Sequence, residues 1–158
     1  MKQLRLYLDT SIISYLYQSD VPEKEKSTNL FWDKVKSDIY DIFISDITLR
    51  ELNECPEPKR SLMLEKLAEI KMNVISIDDE MINMVKKILD LKILTDKSKD
   101  DCFHISAAMV TGCDYLLSWN FKHLVNIRTI NGVRAIASLN GYSSIDIITP
   151  EFLLDWGD

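Results

Sequence analysis

Glycine and proline are scarce in this chain, four of each among 158 residues. That excludes collagen-like and low-complexity architectures, and an apolar content of 46% excludes a chain too polar to fold. Cysteine is scarce too: Cys55, Cys102 and Cys113 are odd in number and form no C-x-x-C pair. Neither a disulfide framework nor a zinc knuckle is expected, and reduced thiols point to a cytoplasmic protein. Long apolar runs are missing, with nothing near the roughly 20 residues of a membrane span. The apolar stretch behind Lys2 and Arg5 stops at Asp9, too early for a signal peptide, so no membrane partner is expected. Positive charge is in deficit. A formal net charge of -6 excludes a protein that coats nucleic acid by bulk attraction, though not an enzyme that meets it briefly through bound cations. Neither G-x-x-x-x-G-K-[ST] nor G-x-G-x-x-G occurs, so nucleoside triphosphate and dinucleotide sites lack support.

What is present is an alternation of two kinds of apolar segment in a length that suits a single domain over 1–158. Short, mainly apolar runs at 4–8, 41–45, 73–77, 115–119 and 145–149 read as buried strands. Between them lie helical patterns at 11–18, 23–37, 47–54, 58–71, 78–91 and 98–111, short helices at 121–126 and 128–140, and a last one beginning at Pro150. Phe31, Trp32 and Val35 share one helix face, and Met81, Val85 and Ile88 another. The pattern predicts an α/β fold of three layers, α/β/α, around a parallel sheet of about five strands. In such sheets chemistry gathers beyond the carboxyl ends of the strands, near the place where strand order reverses.

Four polar residues are expected at that edge. Asp9 ends the first strand, in "LYLDTSIIS"; read locally, it is an N-cap. Glu51 follows the second strand early in a helix, where Thr48-x-x-Glu51 also matches a capping box. Asp101 opens the helix that carries Ala107 and Ala108, small residues that let it lie close to the sheet; Ser98-x-x-Asp101 again matches a box. Asn120 follows the fourth strand, while Asp114 precedes it and sits about 16 Å away at the wrong end. Three carboxylates and an amide from four segments would converge on one edge. Gathered carboxylates repel and raise one another's pKa. A hard divalent cation with oxygen ligands, Mg²⁺ or Mn²⁺, relieves the repulsion and serves phosphodiester cleavage.

The sequence resembles the PIN domain, and within it the VapC-type toxins of bacterial toxin–antitoxin pairs. The stretches that carry the resemblance are "LYLDTSIISYL", "ISDITLREL", "DDCFHISAAMVTGCDYLLSWNFKHL" and "NGYSSIDIITPEFL", which together reach from residue 6 to 154. The resemblance implies a metal-dependent ribonuclease in which Asp9, Glu51 and Asp101 are catalytic and hold the ion. It also implies an RNA substrate, a cognate antitoxin and a homodimer. Where the family commonly has a fourth acid this chain has Asn120, a weaker ligand without charge, acting directly or through water. Ser118 stands where the family often has Thr.

Around these, Thr10 and Ser11 are supporting candidates, one for a water and one to cap the first helix. Lys122 and His123, beside Asn120, are candidates to meet an RNA phosphate or are simply surface residues. His104 lies on the same helix side as Asp101 and reads better as a buried histidine bonded to backbone than as a metal ligand. Arg50 need not enter the site. The rings of Tyr15, Tyr17, Phe31 and Trp32 either line an antitoxin groove or belong to the core. Two other functions compete. One is a weakened PIN domain that binds RNA or protein without cutting. The other is a phosphatase with an aspartyl nucleophile at Asp9, disfavoured because Ser11 stands where a second acid is usual.

Overall fold

Strand β1, Leu4–Leu8, runs through the middle of the sheet in the computed structural model, which describes residues 2–154. On one side it pairs with β2 (Tyr40–Ser45), and β2 with β3 (Asn73–Ile75). On the other it pairs with β4 (Tyr115–Leu117), and β4 with β5 (Asp146–Ile148). The order is β3-β2-β1-β4-β5 and every pairing is parallel. The chain builds outward from β1 to β3, then returns across the sheet to β4. The reversal of order therefore falls between β1 and β4.

The central strands are apolar over their buried portions because both faces are covered there, and their side chains alternate between two cores. Tyr7, Phe43, Leu116 and Ile147 point to one face, under α5 (Asp79–Asp90), α6 (Lys99–Thr111) and α7 (Ile127–Leu139). Leu6, Leu8, Ile42, Ile44, Leu117 and Ile148 point to the other. That second face packs against α1 (Thr10–Ser14), α2 (Pro22–Lys36), α3 (Asp46–Glu54), α4 (Lys59–Leu67) and the short α8 (Glu151–Leu154). The three-layer arrangement is the one the segment pattern predicts. Phe31 and Trp32 are fully inside the second core, so these two rings are not groove residues; Tyr15 and Tyr17 pack partly buried against it. Among the described residues no helix is long and apolar enough to cross a membrane.

Several local readings are corrected. Residues 121–126 form turns, not a helix, because the Asn126 side-chain amide bonds the carbonyls of Phe121 and Lys122. That leaves Asn126 free to cap α7 through the backbone amide of Thr129. Helix α3 starts at Ser45, whose hydroxyl and the Thr48 hydroxyl form the capping box, so Thr48-x-x-Glu51 is not one. Ser98 stands at the N-cap of α6 but makes no capping hydrogen bond. Helix α6 ends as expected at Gly112, in the left-handed conformation at φ 79°. Its Ala107 and Ala108 are fully buried in the first core, and the helix can therefore lie low over the sheet with its first turn toward the strand ends.

Candidate functional site

Asp9 leaves β1 and immediately caps α1, accepting the backbone amide of Ser11 at 2.9 Å. Its carboxylate also accepts the hydroxyls of Ser11 and, from beyond β4, Ser118. Neither Thr10 nor Ser11 is the cap; Ser11 is tied to Asp9, and its hydroxyl also accepts the Trp119 amide at 2.9 Å. Ser118 turns back on its own loop, receiving the amide of Asn120 at 2.9 Å. The ends of β1 and β4 are thus laced together by hydroxyls at the point where strand order reverses. Asp9 is only 4% exposed. Burial raises its pKa; the charge of His104 and the two serine hydroxyls pull it down without cancelling the rise, and Glu51 adds to it.

Glu51 reaches the same edge from α3. Thr10 donates to its Oε1 at 2.7 Å, which joins α3 to the residue next to Asp9. His104, from α6, meets the same oxygen through Nε2 at 2.6 Å and meets the Tyr7 hydroxyl through Nδ1 at 2.6 Å. Tyr7 in turn bonds the Ser45 hydroxyl at 2.7 Å. The expectation of a histidine bonded to backbone is corrected: its partners are side chains, and both ring nitrogens are engaged. Burial opposes a charge on His104, but the Tyr7 oxygen, the Glu51 carboxylate and Asp9 reverse this and push its pKa up to about 10. Burial likewise works to raise Glu51, yet the hydrogen bond and charge of His104, with Thr10, hold it below its ordinary value. Glu51 and His104 form an ion pair at neutral pH.

Asp101 comes from the first turn of α6 and is held more loosely. Asn120 donates its side-chain amide to Oδ2 at 3.3 Å. The orientation of that amide is set by the backbone, because the His123 amide donates to Asn120 Oδ1 at 3.0 Å. Asn120 therefore turns its nitrogen, not its oxygen, to Asp101. Burial raises the pKa of Asp101 most; His104 and His123 lower it, Asp9 and Glu51 raise it, and the sum is about 6. Those two negative neighbours place Asp101 in the same electrostatic field as the other acids.

The remaining candidates sort cleanly. Arg50 pairs with Asp100 at 2.6 Å and Glu54 at 3.7 Å instead of entering the site. Asp114 lies at the opposite end of β4, accepting the Arg5 amide at 2.8 Å. Lys122 is exposed and His123 half-buried, both on the turn beyond Asn120 and facing a separate recess. Tyr7 is the site residue that sequence reasoning did not weigh; His104 was weighed as a buried histidine, but its side-chain partners were not foreseen. The three-residue spacing of His104 from Asp101 carried some signal; Tyr7, in a strand far away along the chain, carried none.

Among the described residues, no three His, Cys, Asp or Glu side chains form a group that could hold a metal ion. The acids stand closed by hydrogen bonds to serine, threonine, histidine and asparagine. The chemistry of the donor set nonetheless suits a hard cation. All three acids are oxygen donors, hydroxyls surround Asp9 and Glu51, and the Asp101 pKa is raised by burial first and by the charges of Asp9 and Glu51 besides.

A doubly wound parallel domain with carboxylates at its switch point is the class that fold and site define. The PIN domain family matches residues 6–121, a span that holds Asp9, Glu51, Asp101, Ser118 and Asn120, and the chain belongs to that family. A chain in the crystal structure of VapBC2 from Rickettsia felis bound to a DNA fragment from their promoter is similar, with a TM-score of 0.57 and 14% identity over 92% of this chain and 98% of that one. At that identity the likeness is one of fold. Comparison with curated proteins finds no match.

Proposed function

We propose that this chain is a metal-dependent endoribonuclease acting as the toxin of a type II toxin–antitoxin pair. The observation that supports the reading is the linkage of Asp9, Glu51 and Asp101, by hydrogen bonds and by charge, near the ends of β1 and β4. Thr10 and His104 join Glu51 to the segment that carries Asp9, and the charges of both acids raise the pKa of Asp101. Asp9, Glu51 and Asp101 would hold Mg²⁺ or Mn²⁺. Bound there, such an ion supplies Lewis acidity toward a phosphoryl oxygen and makes water a better nucleophile at neutral pH. This chain's own groups set the stage: Ser11 and Ser118 fix the Asp9 carboxylate, and Thr10 and His104 keep Glu51 ionised and aimed. The reaction is in-line hydrolysis of an RNA phosphodiester that leaves a 5′-phosphate and a 3′-hydroxyl. The partners under this reading are RNA, a cognate antitoxin and a second copy of the chain.

Replacing Asp9 with Asn is the direct test. Asn caps a helix as well as Asp, so the circular dichroism spectrum and melting temperature should hold. RNA cleavage with Mn²⁺ should fall at least ~100-fold. An unaltered cleavage rate would refute the mechanism.

A second reading, a PIN domain that binds RNA or protein without cutting, is favoured by one observation. Asn120 offers Asp101 an amide donor where a fourth acid would offer charge. Titration calorimetry with Mn²⁺ near neutral pH separates the two, since absence of binding favours the binding module.

A further inference from the structure

Past Asn120 the electrostatics change sign. A recess of about 160 Å³ is lined by Lys92, Lys122, His123 and Arg128, and by no acidic residue, in a chain of net charge -6. Among the described residues none of these four groups is in an ion pair. Its neighbour is the hollow of about 390 Å³ bounded by four acids, Glu51, Asp96, Asp100 and Asp101, and by Lys97 and Lys99; Ser98 forms part of the wall of both. A basic recess and the acidic edge are therefore adjoining compartments.

The recess is built, not a chance spread of surface lysines. Lys92 adopts a left-handed backbone at φ 56°, which side-chain-bearing residues adopt only at a cost. Its carbonyl accepts Arg128 Nη2 at 3.3 Å, drawing two of the basic residues to one rim. The loop is pressed onto α7 at Gly132, where a Cβ would meet Ile93 at 2.9 Å. His123 is pinned on both sides of its backbone, by Asn120 Oδ1 at 3.0 Å and by the Thr129 hydroxyl on its carbonyl at 2.8 Å. The first turn of α7 contributes Arg128 and Thr129 and brings the positive end of a helix to the same wall. Ser98 is 5% exposed, and its Oγ is buried without a hydrogen-bond partner although it occupies a capping position. Buried hydroxyls are normally paired.

We propose that this recess is an anion subsite that takes a backbone phosphate of the RNA, close to the phosphate presented at the acidic edge. The assignment rests on the ribonuclease reading and deepens it. The volume lies below that of pockets which enclose a whole drug-sized ligand, which favours a phosphate group over a nucleotide. The shared wall at Ser98 lets one strand run from the acidic compartment into the basic one. Much of the subsite, Lys122 to Thr129, lies past the span 6–121 that matches the PIN domain family.

The test is binding of a short single-stranded oligoribonucleotide, read by fluorescence anisotropy in EDTA so that no cleavage intervenes. Lys122 and Arg128 are exposed, so the double variant K122Q/R128Q should fold as the parent does. Its affinity should fall about tenfold at low salt, and the slope of log K against log salt should become shallower by about 0.7, the value for one phosphate on a single strand. Ser98→Ala should weaken binding several-fold while leaving the melting temperature unchanged or higher, since it removes an unpaired buried hydroxyl. Unchanged affinity and slope in K122Q/R128Q would overturn the subsite, as would a parent protein that binds no RNA. Inorganic phosphate, followed by amide NMR shifts of Lys122, His123 and Arg128, supplies a further arm. Shifts with phosphate but none with RNA would mark a small-ion site and overturn the assignment. The nuclease reading fails separately. If the Asp9→Asn variant still cuts while K122Q/R128Q loses RNA binding, the mechanism falls and the subsite stands. If cutting is lost in the first and binding is intact in the second, only the subsite falls.

Discussion

Glu51 and Asp101 approach the same edge from two helices on either side of β1, and their surroundings treat charge in opposite ways. Glu51 has a buried imidazolium at 2.6 Å and a threonine hydroxyl at 2.7 Å, and its pKa is lowered despite burial. Asp101 has one side-chain amide at 3.3 Å, and burial with two negative neighbours lifts its pKa to about 6. One corner carries its own counter-charge; the other is short of it. The contrast is between a carboxylate whose charge is met by its own partners and one whose charge is opposed mainly by burial. It also explains why acids that share a field need not share a protonation state.

The contrast can be broken most violently at His104. His104→Ala would take the counter-charge from a half-buried carboxylate, leaving Glu51 with Thr10 alone, and would leave the buried Tyr7 hydroxyl with Ser45. We expect a loss of about 3–5 kcal/mol in urea denaturation at pH 7, the cost of removing one partner from a buried pair. The pH dependence of the parent should carry the same signature. With its pKa raised from 6.5 to about 10, His104 contributes stability that is complete below about 6.5 and lost as pH rises toward 10. Glu51, with its pKa lowered, contributes stability above its ordinary value of 4.5 that is lost in acid. A His104→Ala variant as stable as the parent, with unchanged alkaline behaviour, would show that the pair is idle.

A smaller effect of the opposite sign belongs to Asp101. Its folded pKa exceeds the unfolded 3.8, so the folded state holds the proton more tightly and ionisation costs stability. The cost is absent below about 3.8 and complete above about 6. Asp101→Asn keeps an acceptor for the Asn120 amide and should gain about 1–2 kcal/mol at pH 8 after solvent screening is allowed for, with little gain at pH 4. A gain that is the same at both pH values would place the effect outside the ionisation. Smallest is Ser118→Ala, which removes one donor from a carboxylate that also keeps Ser11. A loss of about 1 kcal/mol is expected, with the Asp9 carboxyl titrating higher by NMR. An unmoved Asp9 titration would show that Ser118 does not set its charge.

The strands were legible because parallel strands covered on both faces are mostly apolar, and short runs such as "LRLYL", with one charge near its start, fit little else. Their ends were less so. The fourth strand stops at Leu117, because Ser118 turns its hydroxyl to Asp9 and takes the Asn120 amide. The capping patterns at Thr48 and Ser98 misled for a related reason. A motif of one hydroxyl and one acid names residue types but not which amide is in reach, and Ser45 was nearer for α3. Residues 121–126 read as helix because their apolar spacing allowed it, while Asn126 spends its side chain on the carbonyls behind it.

By itself the sequence determined the alternating order of elements, the parallel class of the sheet, and the placement of Asp9, Asp101 and Asn120 at element ends where side chains can gather. Those follow from local periodicity and chain connectivity, which a linear string contains. Only the tertiary structure decided that His104 answers Glu51, that Tyr7 answers His104, and that Asn120 shows Asp101 its nitrogen. Ionic and hydrogen-bond partners are set by distances of about 3 Å between groups many residues apart, and nothing in the order of residues encodes such a distance until the helices have settled on the sheet.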